Sequence, residues 1–311
     1  MTQNVLQRIA PGSRVAVVRL RSLGDCVLTT PALALLKQFR PDLSLAIVVE
    51  DRFAPVFEGN PALDAVLSPT TAAILRWKPV LTLNLHGGST SSQLTFASRA
   101  RWRAGFEHFR FRALYNVQIP RAQTILGVER KVHTAEHLAS AMFHLGVPTQ
   151  TIPRASLFPL KSATPPAAPP AKPIAVIHAK ASAPDKTWPA ANFHAIARHL
   201  EMLDLEPVFI AGPGERLDEF APFRCVVGAS LDVIKTMLAQ ATVFIGNDSG
   251  PAHMAAAFGV PSVVLFGSSD PVIWAPWKTE AQVLSHPDGI LAITLDQVLE
   301  ALALLPILEP R

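Results

Sequence analysis

Residues 244–271 read FIGNDSGPAHMAAAFGVPSVVLFGSSDP, and no other stretch restricts the fold as much. An apolar run over 241–245 stops at Gly246-Asn247-Asp248-Ser249-Gly250. A small-residue helix is expected over 251–258, and a second apolar run over 262–266 stops at Gly267-Ser268-Ser269-Asp270. Strand, polar loop, helix, strand, polar loop makes a βαβ unit, and both loops leave the carboxyl ends of their strands, where open α/β sheets bind ligands. Ser249 and Gly250 set backbone N–H groups at a helix N-terminus, with Pro251 suited to the first helical position. That arrangement fits a phosphate, and His253 in the first turn adds a donor or a positive charge. The plainer alternative is an ordinary βαβ unit with Asp248 as N-cap and His253 on its surface. G-N-D-S-G is neither a Walker loop nor a G-x-G-x-x-G fingerprint.

The same alternation runs through the rest of the chain. A length of 311 residues favours two domains, and SATPPAAPPAKP (162–173) is the clear linker, its prolines holding the backbone extended. Strands are expected over 14–20, 45–49 and 79–85 before the linker, with a helix over 27–39. After it, strands over 173–178 and 206–210 alternate with helices over 193–203 and 230–239. This pattern predicts parallel sheets in two α/β layers. A final amphipathic helix is expected over 296–305, packing back across the domain junction.

Hydrophobic residues make up 49% and charged residues 17%, so the chain is not a disordered one. No apolar run reaches the roughly 18 residues needed to span a bilayer, and MTQNVLQRIAPGS lacks the apolar centre of a signal peptide. Cys26 and Cys225 form neither a disulfide framework nor a metal motif. The expected compartment is the cytosol. A net charge of +4 suits an anionic substrate, an anionic membrane surface or nucleic acid, without choosing among them.

After the first strand comes Arg21-Ser22-Leu23-Gly24-Asp25 and then a helix. Gly24 allows a tight turn. Asp25 at the helix start is either an N-cap favoured by the helix dipole or a general base. The two readings part on the variant Asp25→Asn: loss of a cap registers in thermal stability, loss of a base in turnover.

Taken together, RLRSLGDCVLTTPAL and FIGNDSGPAHMAAAFGVPSVVLFGSSDP resemble family 9 glycosyltransferases, the bacterial lipopolysaccharide heptosyltransferases. LNLHGGSTSSQLTFASRARWRAGFEH, HTAEHLASAMFHLGV, IHAKASAPDKTWPAANFHAIARHL and AGPGERLDEF fit in the same order. The resemblance implies a GT-B fold, two Rossmann-like domains with parallel sheets facing a central cleft. Residues 1–161 would bind the acceptor and 174–311 the nucleotide sugar. The implied reaction moves a heptose from an ADP-activated donor to an inner-core lipopolysaccharide acceptor with inversion, and Asp25 is the implied base. Lys186 would neutralise the donor diphosphate, with Ser182 and Lys180 adding donors; on composition alone Lys186 is a solvated surface lysine. Asp248, Ser249, Gly250 and His253 would form the diphosphate and sugar turn. Glu215 would accept from the ribose hydroxyls, the alternative being an exposed helix-start glutamate. Acceptor contacts are implied at Arg21, Arg103, His133 and His137, although His133 and His137 also read as helix-surface polar residues. No Asp-x-Asp pair sits at a loop, so no cofactor is obligatory and magnesium would at most stimulate, unbound by a protein motif.

The segment SRARWRAGFEHFRFR interleaves arginines with aromatic rings, a pattern that nucleic-acid binding shares. It also reads as a solvated loop or strand edge. Under the resemblance it is an acceptor surface for phosphates and carboxylates, beside an inner membrane touched peripherally, with no nucleic acid expected as a partner. Two other classes stay open, a nucleotide-sugar epimerase and a non-catalytic sugar-nucleotide-binding relative. Ala181 and Ala183 stand where many relatives carry polar residues, which leaves the particular donor open.

Overall fold

The computed structural model describes residues 4–159 and 172–306. The chain divides into two compact units, Met1–Phe158 and Pro159–Arg311. Apart from residues 172 and 173, the proline-rich stretch expected as a linker lies outside the described residues.

The first unit carries strands β1 (Arg14–Val18), β2 (Ser44–Val48), β3 (Ala65–Leu67), β4 (Leu81–Asn84), β5 (Trp102–Phe106) and β6 (Val117–Ile119). Its helices are α1 (Leu23–Phe39), α2 (Thr71–Trp77), α3 (Ser89–Ala97), α4 (Ala122–Leu126) and α5 (Thr134–Leu145). All the strands pair in parallel, in the order β3-β2-β1-β4-β5-β6. Parallel strands covered on both faces read as unbroken apolar runs. In β1, Val15 to Val18 are all fully buried, and each such valine is worth roughly 1.5–3 kcal/mol of transfer free energy. Ala16, Val18 and Leu20 pack with Val48, Ile74 and Leu94 in one cluster of this core.

The second unit carries β7 (Ile174–His178), β8 (Glu206–Ala211), β9 (Arg224–Val227), β10 (Ala241–Asn247), β11 (Ser262–Phe266) and β12 (Ala281–Ser285). Its helices are α6 (Ala190–Met202), α7 (Leu231–Ala239), α8 (Gly250–Phe258), α9 (Pro271–Trp274) and α10 (Leu295–Ala303). The order is β12-β11-β10-β7-β8-β9, again all parallel. Counted within its own unit, this is the order of the first sheet. Both sheets are therefore doubly wound, and each has its switch point where chain direction across the sheet reverses: β1 beside β4, and β7 beside β10. Val298, Ala301 and Leu302 of α10 belong to the core of this unit. Among the described residues no helix is long and apolar enough to cross a membrane.

Two local expectations change. Helix α1 begins at Leu23 rather than at residue 27, which puts Asp25 inside its first turn with Ser22 as N-cap. The arginine-rich segment is no strand edge. Trp102–Phe106 is an interior strand, held between β4 and β6, and the flanking arginines masked its short apolar pattern.

Candidate functional site

At the switch point of the first sheet the ends of β1 and β4 meet the start of α1. Asp25 is the third residue of α1, and its Oδ2 accepts from the Ser22 backbone N–H (3.3 Å) and hydroxyl (3.1 Å) in a capping box. Its Oδ1 lies 3.4 Å from a terminal guanidinium nitrogen of Arg19. Arg19 is only 6% exposed, and among the described residues its Nε has no hydrogen-bond partner. Burial lowers the Arg19 pKa while the Asp25 charge opposes the shift. Asp25 thus has both a capping role and a buried cation beside it.

The end of β4 supplies the facing loop. Buried Asn84 accepts from the His86 and Gly87 N–H groups (2.9 and 3.0 Å) and donates to Ser91 and Tyr115 hydroxyls (3.1 and 2.9 Å). The loop is therefore fixed from within. Burial, with Arg19 adding and Asp25 opposing, lowers the His86 pKa.

Half-buried His137 stacks on Phe106 at 4.1 Å between ring centroids. Burial first, then His108 and Arg19, bring its pKa down to about 4 against the opposing charge of Asp25. It is a neutral imidazole at pH 7. His133 is the N-cap of α5, its Nδ1 accepting from Ala135 N–H at 3.1 Å. Both histidines belong to the packed start of α5 rather than to a helix surface. Arg103 donates to the Leu114 and Ala100 carbonyls (3.2 and 3.1 Å) and lies over Phe96. Arg21 is exposed, 3.9 Å from Glu50.

In the second unit the loop after β7 runs from Ala179 to Trp188 against the ends of β10 and β11. Lys186 closes a short 3-10 turn, Pro184–Lys186. Among the described residues its ammonium has no carboxylate partner, whereas Lys180 in the same loop pairs with Glu219 at 2.6 Å. Ser182 is exposed. Gly267 lies directly under Asp185 and Lys186: a Cβ there would meet the Asp185 carbonyl and come within 2.8 Å of the Lys186 Cα.

Beside this loop, Ser249 is the N-cap of α8, Gly250 opens the helix and Pro251 follows. The cap is therefore Ser249, not Asp248. Asp248 Oδ2 accepts from the Ser269 hydroxyl at 2.5 Å, which ties the loops after β10 and β11 together. The Ser249 hydroxyl lies 3.1 Å from Nδ1 of His178 at the end of β7. Burial lowers the His178 pKa to about 4, with Glu215 opposing, so that imidazole is neutral. His253 is buried, 5% exposed, and not a surface residue. Glu215 does not start a helix; its Oε2 accepts from the Gly212 N–H at 2.5 Å and closes the turn after β8.

Arg19, Asn84, His86, His178, Asn247 and Gly267 were not singled out as site residues in the sequence. Arg19 and Asn84 read as strand-end residues, and only the strand order brings them to the switch point. His178 and Asn247 close apolar runs with a polar side chain, a signal that marks the carboxyl end of a buried strand.

The overall fold has counterparts among solved structures. A family 9 glycosyltransferase of Veillonella parvula superposes with a TM-score of 0.81 at 22% identity, covering 94% of this chain and 96% of that one. The Escherichia coli ADP-heptose lipopolysaccharide heptosyltransferase II gives 0.78 at 18% identity, with 93% and 97% covered. E. coli heptosyltransferase WaaC with ADP gives 0.74 at 18% identity, with 93% and 99% covered. These likenesses establish the GT-B fold, two parallel-sheet α/β domains. In sequence, lipopolysaccharide heptosyltransferase 3 of E. coli is 33% identical over 104 residues, 30% of this chain and 31% of that protein. Lipooligosaccharide heptosyltransferase 2 of Campylobacter jejuni is 29% identical over 116 residues, 33% of this chain and 36% of that protein. The chain thus matches about a third of the length of these curated relatives. The sequence profile of the family, by contrast, matches residues 80–292, well over half of the chain, which therefore belongs to glycosyltransferase family 9, the heptosyltransferase family.

Proposed function

We propose that the protein transfers a heptose from an ADP-activated donor to an inner-core lipopolysaccharide acceptor, inverting the anomeric centre. The observation that carries this reading is the second switch point. Lys186, a cation with no carboxylate partner among the described residues, stands on the loop after β7 and packs on Gly267 at the end of β11, while His178 at the end of β7 lies 3.1 Å from Ser249, the N-cap of α8. A helix N-terminus and a lysine suit a diphosphate, and the solved complexes of E. coli heptosyltransferase WaaC contain ADP and ADP-2-deoxy-2-fluoro heptose.

In the proposed reaction the acceptor oxygen attacks the anomeric carbon from the face opposite the leaving group. The new carbon–oxygen bond forms as the bond to the diphosphate breaks, and Asp25 takes the acceptor's proton. A positioned base contributes about 10²–10⁴ in rate. Lys186 and the backbone N–H groups of Gly250 and its neighbours offset the charge gathering on ADP. Asp248, held by Ser269, faces sugar hydroxyls. Glu215 faces the ribose, the bond to Gly212 fixing one carboxylate oxygen and leaving the other. His253 adds a donor within the first turn of α8, and Ser182 a hydroxyl on the lysine loop. Arg21, the arginines of 99–112 and the start of α5 form the acceptor side, at the surface of an anionic membrane. Arg103 supports that surface from within, because its guanidinium already binds two backbone carbonyls.

The test is release of ADP from ADP-heptose with and without lipopolysaccharide inner core. Acceptor-dependent release with an inverted linkage supports the reading. Conversion of the donor without acceptor would indicate an epimerase. Donor binding without turnover would indicate a non-catalytic relative, and tight, salt-sensitive RNA binding without transfer a nucleic-acid protein.

A further inference from the structure

The loop that carries Lys186 is closed at both ends by one side chain. Asn247, fully buried at the end of β10, donates from Nδ2 to the Ala179 carbonyl at 2.9 Å. Its Oδ1 accepts from the Trp188 backbone N–H at 3.2 Å. Ala179 is the first residue of the loop and Trp188 the last. Trp188 is itself anchored in the core: it is 1% exposed, its indole N–H donates to the Ile293 carbonyl at 2.8 Å, and its ring packs edge-on against Phe193. Inside the loop, Lys186 N–H donates to the Ala183 carbonyl (3.1 Å), as does the Thr187 hydroxyl (2.9 Å). Gly267 supports the loop from below.

We infer that Asn247 is a positioning residue, a clasp that presets Lys186 for the donor diphosphate before any nucleotide arrives. The inference rests on the reading of Lys186 as the diphosphate cation. A buried primary amide suits the task because it offers a donor and an acceptor on one rigid plane, matching the Ala179 carbonyl and the Trp188 N–H at the two loop ends. Without the clasp those two backbone groups lose their partners inside the protein, which is costly. The loop is then ordered only when ligand binds, and affinity falls by the cost of that ordering.

Three measurements on the full chain test this, with ADP as the probe. Hydrogen exchange of the 179–188 amides should quicken in Asn247→Ala, with β8 and α6 unchanged. Calorimetry should show ADP binding weakened about tenfold in Asn247→Ala, the scale of ordering one long side chain and its loop. In a Lys186→Ala background the same substitution should change ADP affinity less than twofold, because the clasp acts through Lys186. Asn247→Ser, which keeps one polar atom, serves the same three measurements if Asn247→Ala does not fold. A tenfold loss that persists in Lys186→Ala overturns the inference, because Asn247 would then act on the nucleotide by another route. Unchanged exchange in 179–188 overturns it as well. If Lys186→Ala alone binds ADP like the wild type, the reading of Lys186 itself fails. Faster exchange in Asn247→Ala would then leave a loop clasp without the phosphate role.

Discussion

Asp25 holds three partners, and that changes what its substitution should do. One carboxylate oxygen takes two hydrogen bonds from Ser22, and the other faces a guanidinium that has almost no access to water. Asp25→Asn keeps the shape, yet it leaves Arg19 charged and buried without its counter-charge, a situation that destabilises. The variant should therefore unfold at lower temperature, by about 1–3 kcal/mol for lost hydrogen bonds to a charged group. Under the proposed role it should also lose about 10²–10⁴ in kcat with donor KM nearly unchanged. Calorimetry and steady-state kinetics on the same sample check both. Capping and base roles are thus not alternatives that stability can separate, and only the turnover decides the chemistry. A second residue-scale prediction concerns pH. Burial holds His178 and His137 at about 4, against an ordinary 6.5. Between those values the unfolded chain binds protons that the folded chain refuses, so stability is fully present above about pH 6.5 and declines as pH falls to about 4. Each histidine contributes a slope of up to about 1.4 kcal/mol per pH unit in that window. Urea unfolding at pH 7, 5.5 and 4.5 should show the decline, and His178→Gln should make it shallower. An unchanged slope in that variant would show that His178 is not a source of it.

At the scale of elements, the legible parts were those that bury both faces or break abruptly. The runs behind β1, β2, β7, β10 and β11 are unbroken and apolar, and all five appear within two residues of the expected bounds. Short or charged strands left no such signal. β3 has three residues, β9 is mostly exposed, and β5 begins among arginines. The proposed site was readable only where a turn motif marks a candidate, at Gly24-Asp25 and at Asp248-Ser249-Gly250. The clasp and the latch between His178 and Ser249 were not, because they join residues 59 to 71 positions apart in sequence. Gly267 shows the same limit. In sequence it ends a strand, whereas in the fold its missing Cβ is the space that the Lys186 backbone occupies. Gly267→Ala should push the 184–186 turn outward, at a strain of about 1–3 kcal/mol as for other overpacked sites. ADP affinity should fall while the sheet stays intact, which calorimetry and circular dichroism can follow together. Wild-type affinity in this variant would mean that the turn can shift without consequence for the nucleotide.

At the scale of the whole molecule, two sheets of one strand order divide the proposed labour, with the base in one unit and the diphosphate cation in the other. Each unit has its own buried core, so each can unfold with its own free energy, and a single midpoint need not describe the chain. A ligand stabilises only the states that bind it, by about 2.7 kcal/mol at a hundredfold excess over Kd. ADP placed by Lys186 and α8 should therefore slow hydrogen exchange in β7, β10, β11 and the loops that follow them. Exchange in β1, β2 and β4 should stay near that of the free protein. Lys186→Ala should abolish the protection at the same ADP concentration while leaving exchange without ADP as it was. The acceptor side gives the converse expectation: an inner-core fragment should protect the start of α5 and the β4–α3 loop, with Lys186→Ala making no difference. Protection by ADP centred on the first sheet would reverse the assignment of the two halves. Equal protection of both sheets in the Lys186→Ala protein would remove the lysine from the donor site altogether.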